Sequence, residues 1–207
     1  MRTITNLIQG KRDANMVNVY IDGEYYTNVP IDFVVEYDLK KGKEITDDDL
    51  ALLEYDKMRS KAYMYILSSV SKRSISEGDM RCKLLDKEYP ISMVNEVIAK
   101  AKGYNYLDDD YYTRIYIEQN RARKGSLKIK AELKGHHISD ALIAKYLVAS
   151  DEEREGALRE ATKYASRLNL SDIKDKNKLI RHMQYKGYKW DIVSSVVNEI
   201  LDGELEE

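Results

Sequence analysis

The sequence predicts a mainly α protein: three tandem three-helix repeats in an elongated array, preceded by a small N-terminal β module. Three observations carry this expectation. The first is an internal skeleton. Ile129, Leu133, Ile138 and Ile143 step by 4, 5 and 5 residues; Met80, Leu84, Tyr89 and Val94 step identically, as do Leu179, Met183, Tyr188 and Val193. The period is 49 residues from Leu84 to Leu133 and 50 from Leu133 to Met183. A repeat of that length is one supersecondary unit copied, each copy burying its apolar face against its neighbours. The second observation is a change of period, from two residues before Thr46 to helical spacing after it. The third is composition. With 43% hydrophobic and 34% charged residues among 207, most surfaces are charged, and thin stacked units suit that balance better than one thick core.

The expected divisions are residues 1–46, 47–106, 107–150 and 151–207. In the first, Val17, Val19 and Ile21 alternate with Asn18 and Tyr20. Asp22-Gly23 is a two-residue hairpin turn, since both of its positions need positive φ. Glu24 to Val29 returns as the partner strand, Thr3 to Gln9 and Ile31 to Tyr37 read as further strands, and Lys40-Lys41-Gly42-Lys43 as a turn. Asp47-Asp48-Asp49 cap a helix running to about Lys72, with Leu50, Leu53, Met58, Ala62, Tyr65, Ile66 and Val70 near one side. Ser76 is placed to cap the next helix, and Pro90 falls in the first turn of the one after. Asp108-Asp109-Asp110 precede a helix carrying Tyr112, Ile115, Tyr116 and Gln119. Gly125 reads as its left-handed end, Ser126 as the cap of the next, and a third helix follows Ser139. Asp151 opens a seventh helix, and two more follow, about Asp175 to Lys186 and Lys189 to Leu201, making nine. The linkers fall near Gly103 to Leu107 and Val148 to Asp151.

The chemistry of an enzyme is missing. There is no Gly-rich phosphate loop before a helix, no paired cysteine and no nucleophile elbow. His136 and His137 are adjacent, so their side chains point apart and make a poor bidentate ligand. The aspartate triplet at Asp108 is better explained as helix capping than as a cation site, because the same triplet precedes the helix at Asp47. No enzyme activity, cofactor or metal is expected. The lone Cys82 excludes an internal disulfide and fits a reducing compartment. No apolar run approaches the ~18 residues of a membrane span, and Met1 to Asn6 lacks the apolar block of a signal peptide. The expected setting is the cytoplasm.

Net charge is −2, which counts against a role dominated by non-specific DNA binding. Its distribution is uneven. Between Tyr111 and Leu147 stand eight basic residues, Arg114, Arg121, Arg123, Lys124, Lys128, Lys130, Lys134 and Lys145, against three acids, Glu118, Glu132 and Asp140. The C-terminal end holds Glu199, Asp202, Glu204, Glu206 and Glu207 without a base. Tyrosine is abundant, 17 against the single Phe33. Tyr65, Tyr116, Tyr164 and Tyr188 fall on repeat faces and read as core; Tyr111, Tyr185 and Trp190 do not, and are candidates to touch a partner.

The run Leu107-Asp108-Asp109, Arg121-Ala122-Arg123-Lys124-Gly125, Lys128-Ile129, Glu132-Leu133 and Ile138 resembles the central repeat of the RecX proteins, bacterial regulators of the RecA recombinase. Val17 to Tyr25 and Leu39 to Ile45 resemble the N-terminal extension of Gram-positive members, so the resemblance covers nearly the whole chain. One departure stands at the turn before the third helix, where the family usually has Lys-Gly: here His136 and His137 occupy those places, with Lys134-Gly135 two residues early. The third repeat keeps the pattern as Lys186-Gly187-Tyr188. The resemblance implies a monomeric regulator that binds RecA and the RecA–DNA filament, inhibits recombinase and ATPase activity, and serves DNA repair and the SOS response. Arg114, Arg121, Arg123, Lys124, Lys128, Lys130 and Lys134 are the candidate partner-binding residues. The second reading is a direct DNA binder, since three short helices per unit also describe helix-turn-helix domains. The third helices carry Glu96, Asp140, Asp191 and Glu199 and few bases, which disfavours major-groove reading; any direct DNA binding is expected to be weak.

The repeat register makes Ile129 and Leu133 core residues. Ile129→Ala or Leu133→Ala is expected to cost about 2–5 kcal/mol in urea unfolding; a loss within about 0.5 kcal/mol, the surface range, contradicts the register.

Overall fold

The computed structural model describes residues 1–11, 13–147 and 151–204. Glu206 and Glu207 of the acidic end, and the linker from Val148, lie outside the described residues. Two compact units are present, residues 1–65 and 66–207.

In the first unit, β1 (Arg2–Gln9), β2 (Met16–Ile21), β3 (Glu24–Pro30) and β4 (Glu44–Ile45) form an antiparallel sheet in the order β3-β2-β1-β4. Its alternation points Ile4, Val19, Ile21 and Val29 to one side, where they are buried with Leu39, Ile45 and two residues of the first helical turns, Leu50 and Leu53. Asp22 and Gly23 turn the hairpin with φ of 51° and 91°, as the sequence predicts. Ile31–Glu36, by contrast, is a helix, α1, and not a strand. Pro30 fixes the N-cap φ at −57°, and the Ile31 amide donates to the Asn15 carbonyl at 2.8 Å, turning the chain out of the ladder. Phe33, Val34 and Tyr37 then pack on the core, a helical set, while Val35 is exposed. This helix raises the count among the described residues from nine to ten. α2 (Asp47–Val70) opens with a reciprocal cap: the Asp49 amide donates to Thr46 Oγ1, and the Thr46 amide to Asp49 Oδ2. Met58, expected on the apolar side, is exposed.

The remaining helices are α3 (Glu77–Leu85), α4 (Ile91–Gly103), α5 (Asp109–Asn120), α6 (Ser126–Gly135), α7 (Asp140–Tyr146), α8 (Asp151–Ala165), α9 (Ile173–Tyr185) and α10 (Trp190–Glu204). In order along the chain, α2–α4, α5–α7 and α8–α10 make three successive sets of three. The skeleton residues are buried in every repeat except Tyr89, which is half-buried. The turns between second and third helices superimpose in kind. Glu88, His137 and Gly187 all have left-handed φ, 63°, 61° and 85°, and they follow each other by 49 and 50 residues. In each turn the next amide, of Tyr89, Ile138 or Tyr188, donates back to the end of the second helix, to Leu84, Leu133 or Met183. The His136-His137 departure therefore leaves the turn unchanged: His137 adopts the conformation that glycine adopts in the third repeat. Pro90 is the N-cap of α4 and lies just outside its first turn.

Gly125 does something other than the sequence suggests. It has φ −73° and is the N-cap of α6, so Ser126 is the first helical residue, and α5 stops earlier, with Arg121 as its C-cap. The glycine is required by a close approach. A methyl group there would stand 2.2 Å from the Gly187 backbone, and one on Gly187 would stand 2.3 Å from Lys128 Cβ. The Gly125 amide donates to the Lys186 carbonyl at 2.9 Å and the Leu127 amide to the Gly187 carbonyl at 3.0 Å, while the Ser126 amide donates to Glu153 Oε1 at 2.7 Å. The first and second repeats meet in the same way but through side chains. Ser76 Oγ donates to the His136 carbonyl at 2.7 Å, the Glu77 amide donates to Asp109 Oδ1 at 2.7 Å, and Asp79 Oδ2 lies 2.8 Å from His136 Nδ1. At both joints, the start of one repeat's second helix is covered by the next repeat's turn and by a carboxylate from the first turn of its first helix.

Gly125→Ala is expected to destabilise the protein by about 1–3 kcal/mol through overpacking at this joint. Gly135→Ala, where nothing lies within 4 Å, is expected to be neutral or to stabilise by about 0.4–1 kcal/mol. Urea midpoints of the two variants check the contrast.

Candidate partner-binding surface

The seven candidate residues lie on α5, on α6 and in the turn between them, and the structure divides them into paired and free cations. Arg121 Nη1 meets Glu152 Oε2 at 2.7 Å across the repeat boundary. Lys124 Nζ meets Glu132 Oε2 at 2.7 Å, and Tyr116 donates its hydroxyl to the same oxygen at 2.9 Å. Lys130 and Lys134 share Asp140 at 3.5 and 3.0 Å, one helical turn apart on α6. Arg114 sits over the Tyr111 ring at 5.6 Å, and Lys128 over the Tyr185 ring at 4.3 Å. Arg123 is exposed and makes no ion pair with a described residue. The local acids are thus more than scattered interruptions: Glu132 and Asp140 neutralise cations directly, and the cross-repeat Glu152 takes a further one.

The aspartates at the start of α5 each do a different job. Asp108 is the N-cap, accepting from the Tyr111 amide at 3.0 Å. Asp109 reaches the preceding repeat at Glu77, and burial pushes its carboxyl up despite that hydrogen bond. Asp110 accepts from Lys145 at 2.5 Å and from the Tyr146 hydroxyl, and the Lys145 hydrogen bond holds it below the usual carboxylate range. Capping, the sequence reading for all three, describes the first alone. Among the described residues, no group of three or more His, Cys, Asp or Glu is placed to hold a metal ion.

Two features of this surface escape the sequence. One is a groove of about 610 Å³ lined by Arg114, Arg121 and Arg159 together with Glu118, Glu152 and Glu155, floored by Ile117 and Ala122. Its acids belong to the third repeat as well as the second, so no local pattern announces them. The other is the exposure of Leu127, at 53%, beside Tyr185 and Trp190 at 75% and 60%. The two aromatics stand out in the sequence as off the repeat faces; Leu127 does not.

Burial acts to raise the Glu132 carboxyl, but hydrogen bonds from Lys124 and Tyr116 outweigh it and hold the group below its ordinary value of 4.5. A depressed folded pKa means stabilisation that is complete above about pH 4.5 and lost as pH falls through the folded value.

The architecture defines a tandem three-helix-repeat protein with an N-terminal sheet. Residues 2–46 match the regulatory protein RecX N-terminal domain and residues 151–197 the third three-helix domain of RecX. A regulatory protein RecX of Clostridium acetobutylicum is 31% identical over 210 residues, covering 96% of this chain and 96% of that protein. One of Bacillus pumilus is 29% identical over 214 residues, covering 100% of this chain and 81% of its own length. In fold, the chain resembles a crystal structure of regulatory protein RecX with a TM-score of 0.74 at 22% identity, covering 96% of this chain and 100% of that one. The chain belongs to the RecX family of regulatory proteins. Among the described residues no helix is long and apolar enough to cross a membrane.

Glu132→Gln is expected to flatten the loss of thermal stability as pH falls below about 4.5, read as Tm against pH; an unchanged profile contradicts the role given to the Lys124–Glu132 pair.

Proposed function

We propose that this chain is a non-catalytic cytoplasmic regulator that binds RecA and the RecA–DNA filament and inhibits the recombinase and its ATPase, in DNA repair and the SOS response. The observation that carries the reading is the match to regulatory RecX proteins along nearly the whole chain, and not a single motif. The mechanism open to such a chain is competition. A monomer seated on the filament obstructs the place that DNA or a further subunit would take. In this reading the chain is divided into an N-terminal module, residues 1–46, and three repeats, residues 47–106, 107–150 and 151–207.

The charge pattern supports a protein-bound partner over bare DNA. A reader of the major groove aims cations outward from its third helix. Here the α7 cation Lys145 is held by Asp110 and the α7 acid Asp140 holds Lys130 and Lys134, while Glu199 of α10 holds Arg154 at 2.5 Å. A net charge of −2 adds no long-range attraction to a polyanion.

Arg121 and Lys124 are partly enclosed in their ion pairs, so a clean test changes the exposed cations. A variant with Arg123, Lys130 and Lys134 all replaced by glutamine is expected to fold normally and to lose control of RecA's DNA-dependent ATPase. The wild-type protein is expected to prefer RecA-coated over bare single-stranded DNA at salt that abolishes bare-DNA binding. Equal or weaker affinity once RecA covers the strand would favour the direct DNA reading. Each phosphate that the variant no longer neutralises would then flatten the log–log salt slope by about one unit.

A further inference from the structure

The joint between the second and third repeats carries a surface that the fold does not use. Leu127 and Lys128 open α6 directly against the Gly187 turn, since the Leu127 amide donates to the Gly187 carbonyl. Tyr185 ends α9 two residues before Gly187, and Trp190 begins α10 three residues after it. Within three residues of that backbone contact the chain thus carries one aliphatic and two aromatic residues, all more than half exposed, and Lys128 stands over the Tyr185 ring. We infer that Leu127, Lys128, Tyr185 and Trp190 form the anchor through which the chain grips its partner, and that the complementary surface is a protein segment presenting an apolar side chain beside a carboxylate. This rests on the reading of the chain as a regulator that binds a protein filament, and it locates the contact.

Three observations select that occupant. Tyrosine and tryptophan are the side chains that dominate binding energy when a partner desolvates them, because each offers a large rigid area and a polar edge. Among the described residues nothing covers more than half of either residue, so apolar area is left in contact with water. The second observation is charge. Lys128 has the Tyr185 ring as its neighbour at 4.3 Å, and neither it nor the exposed Arg123 and Lys189 makes an ion pair with a described residue. The neighbouring cations of the same repeat pair are neutralised: Lys124 by Glu132, Lys186 by Glu160 at 2.8 Å. Lys128 is thus a cation without an ion pair at the aromatic surface itself, where a partner's carboxylate would find it. The third is the geometry of the ring. The Lys128 ammonium lies over one face of Tyr185, which takes that face from base stacking, and the exposed Leu127 offers a nucleic acid nothing to stack on or bond. A protein surface uses both.

Trp190 is the only tryptophan of the chain, so emission of the mixture less that of the filament alone reports on this surface. Full-length protein is titrated with RecA-coated single-stranded DNA and, separately, with the same DNA bare, at one salt concentration. The expected result is a blue shift of Trp190 emission with the filament and none with bare DNA. Tyr185→Ala and Leu127→Ser, both at exposed positions, are expected to leave the Tm unchanged and to weaken filament binding about ten-fold or more when measured by co-sedimentation. Filament binding by the wild type without an emission change, or with both variants binding normally, overturns the anchor and leaves the regulator reading standing. A shift of equal size with bare DNA overturns it in favour of a nucleic-acid platform. Failure of the wild type to sediment with the filament at all removes the regulator reading, and the anchor with it.

Discussion

The architecture of the helical region depends on one close approach, made twice: the exposed backbone at the start of a second helix is covered by the turn of the following repeat. The first amides of a helix have no partner within it, and here they are satisfied from outside, by Asp109 at Glu77 and by Glu153 at Ser126. Stacking thereby does the work of capping. That explains why Gly125, without a capping side chain, can hold the N-cap of α6: the neighbouring repeat brings the carboxylate and the backbone acceptor that the residue itself lacks. It also explains why repeat spacing is held near 50 residues, since a shifted second helix would present its amides to nothing.

Much of this was legible in the sequence because the repeat is written in apolar residues. Skeleton positions such as Ile129, Leu133, Leu179 and Met183 are buried as their spacing demands, and Ser76, Asp108 and Ser139 cap the helices they precede. The misreadings share a cause. Gly125 looks like a left-handed stop, and only the position of Gly187, sixty-two residues away, shows that its lack of a side chain serves contact. Ile31 to Tyr37 has β-branched and aromatic residues suited to a strand, yet the Pro30 cap and the Asn15 hydrogen bond turn it into α1. Local propensity was overridden by tertiary partners in both places.

The candidate surface was legible in composition and not in arrangement. Counting charges finds a basic middle, but most of those cations already have acids, and some of the acids come from the next repeat, as Glu152 does for Arg121. An ion pair on a surface adds little stability. Its larger effect here is to quiet the potential over α5 and α6, so that unpaired charge stands out at Arg114, Arg123 and Lys128. A one-dimensional charge count cannot distinguish a neutralised cation from a free one.

The two joints are unequal in what links them. Both are tight: a methyl group on Gly125 would stand 2.2 Å from the Gly187 backbone, and one on Gly78 2.2 Å from His137 Cβ. Between the second and third repeats, backbone bonds to backbone. Between the first and second, the linkage passes through the rotatable side chains of Ser76, Asp79 and His136, with an imidazole wedged edge-on to the rings of Tyr112 and Tyr116. A change of side chain can therefore unmake the first joint, whereas the second, bonded backbone to backbone, is open to disruption by substitution at its two glycines.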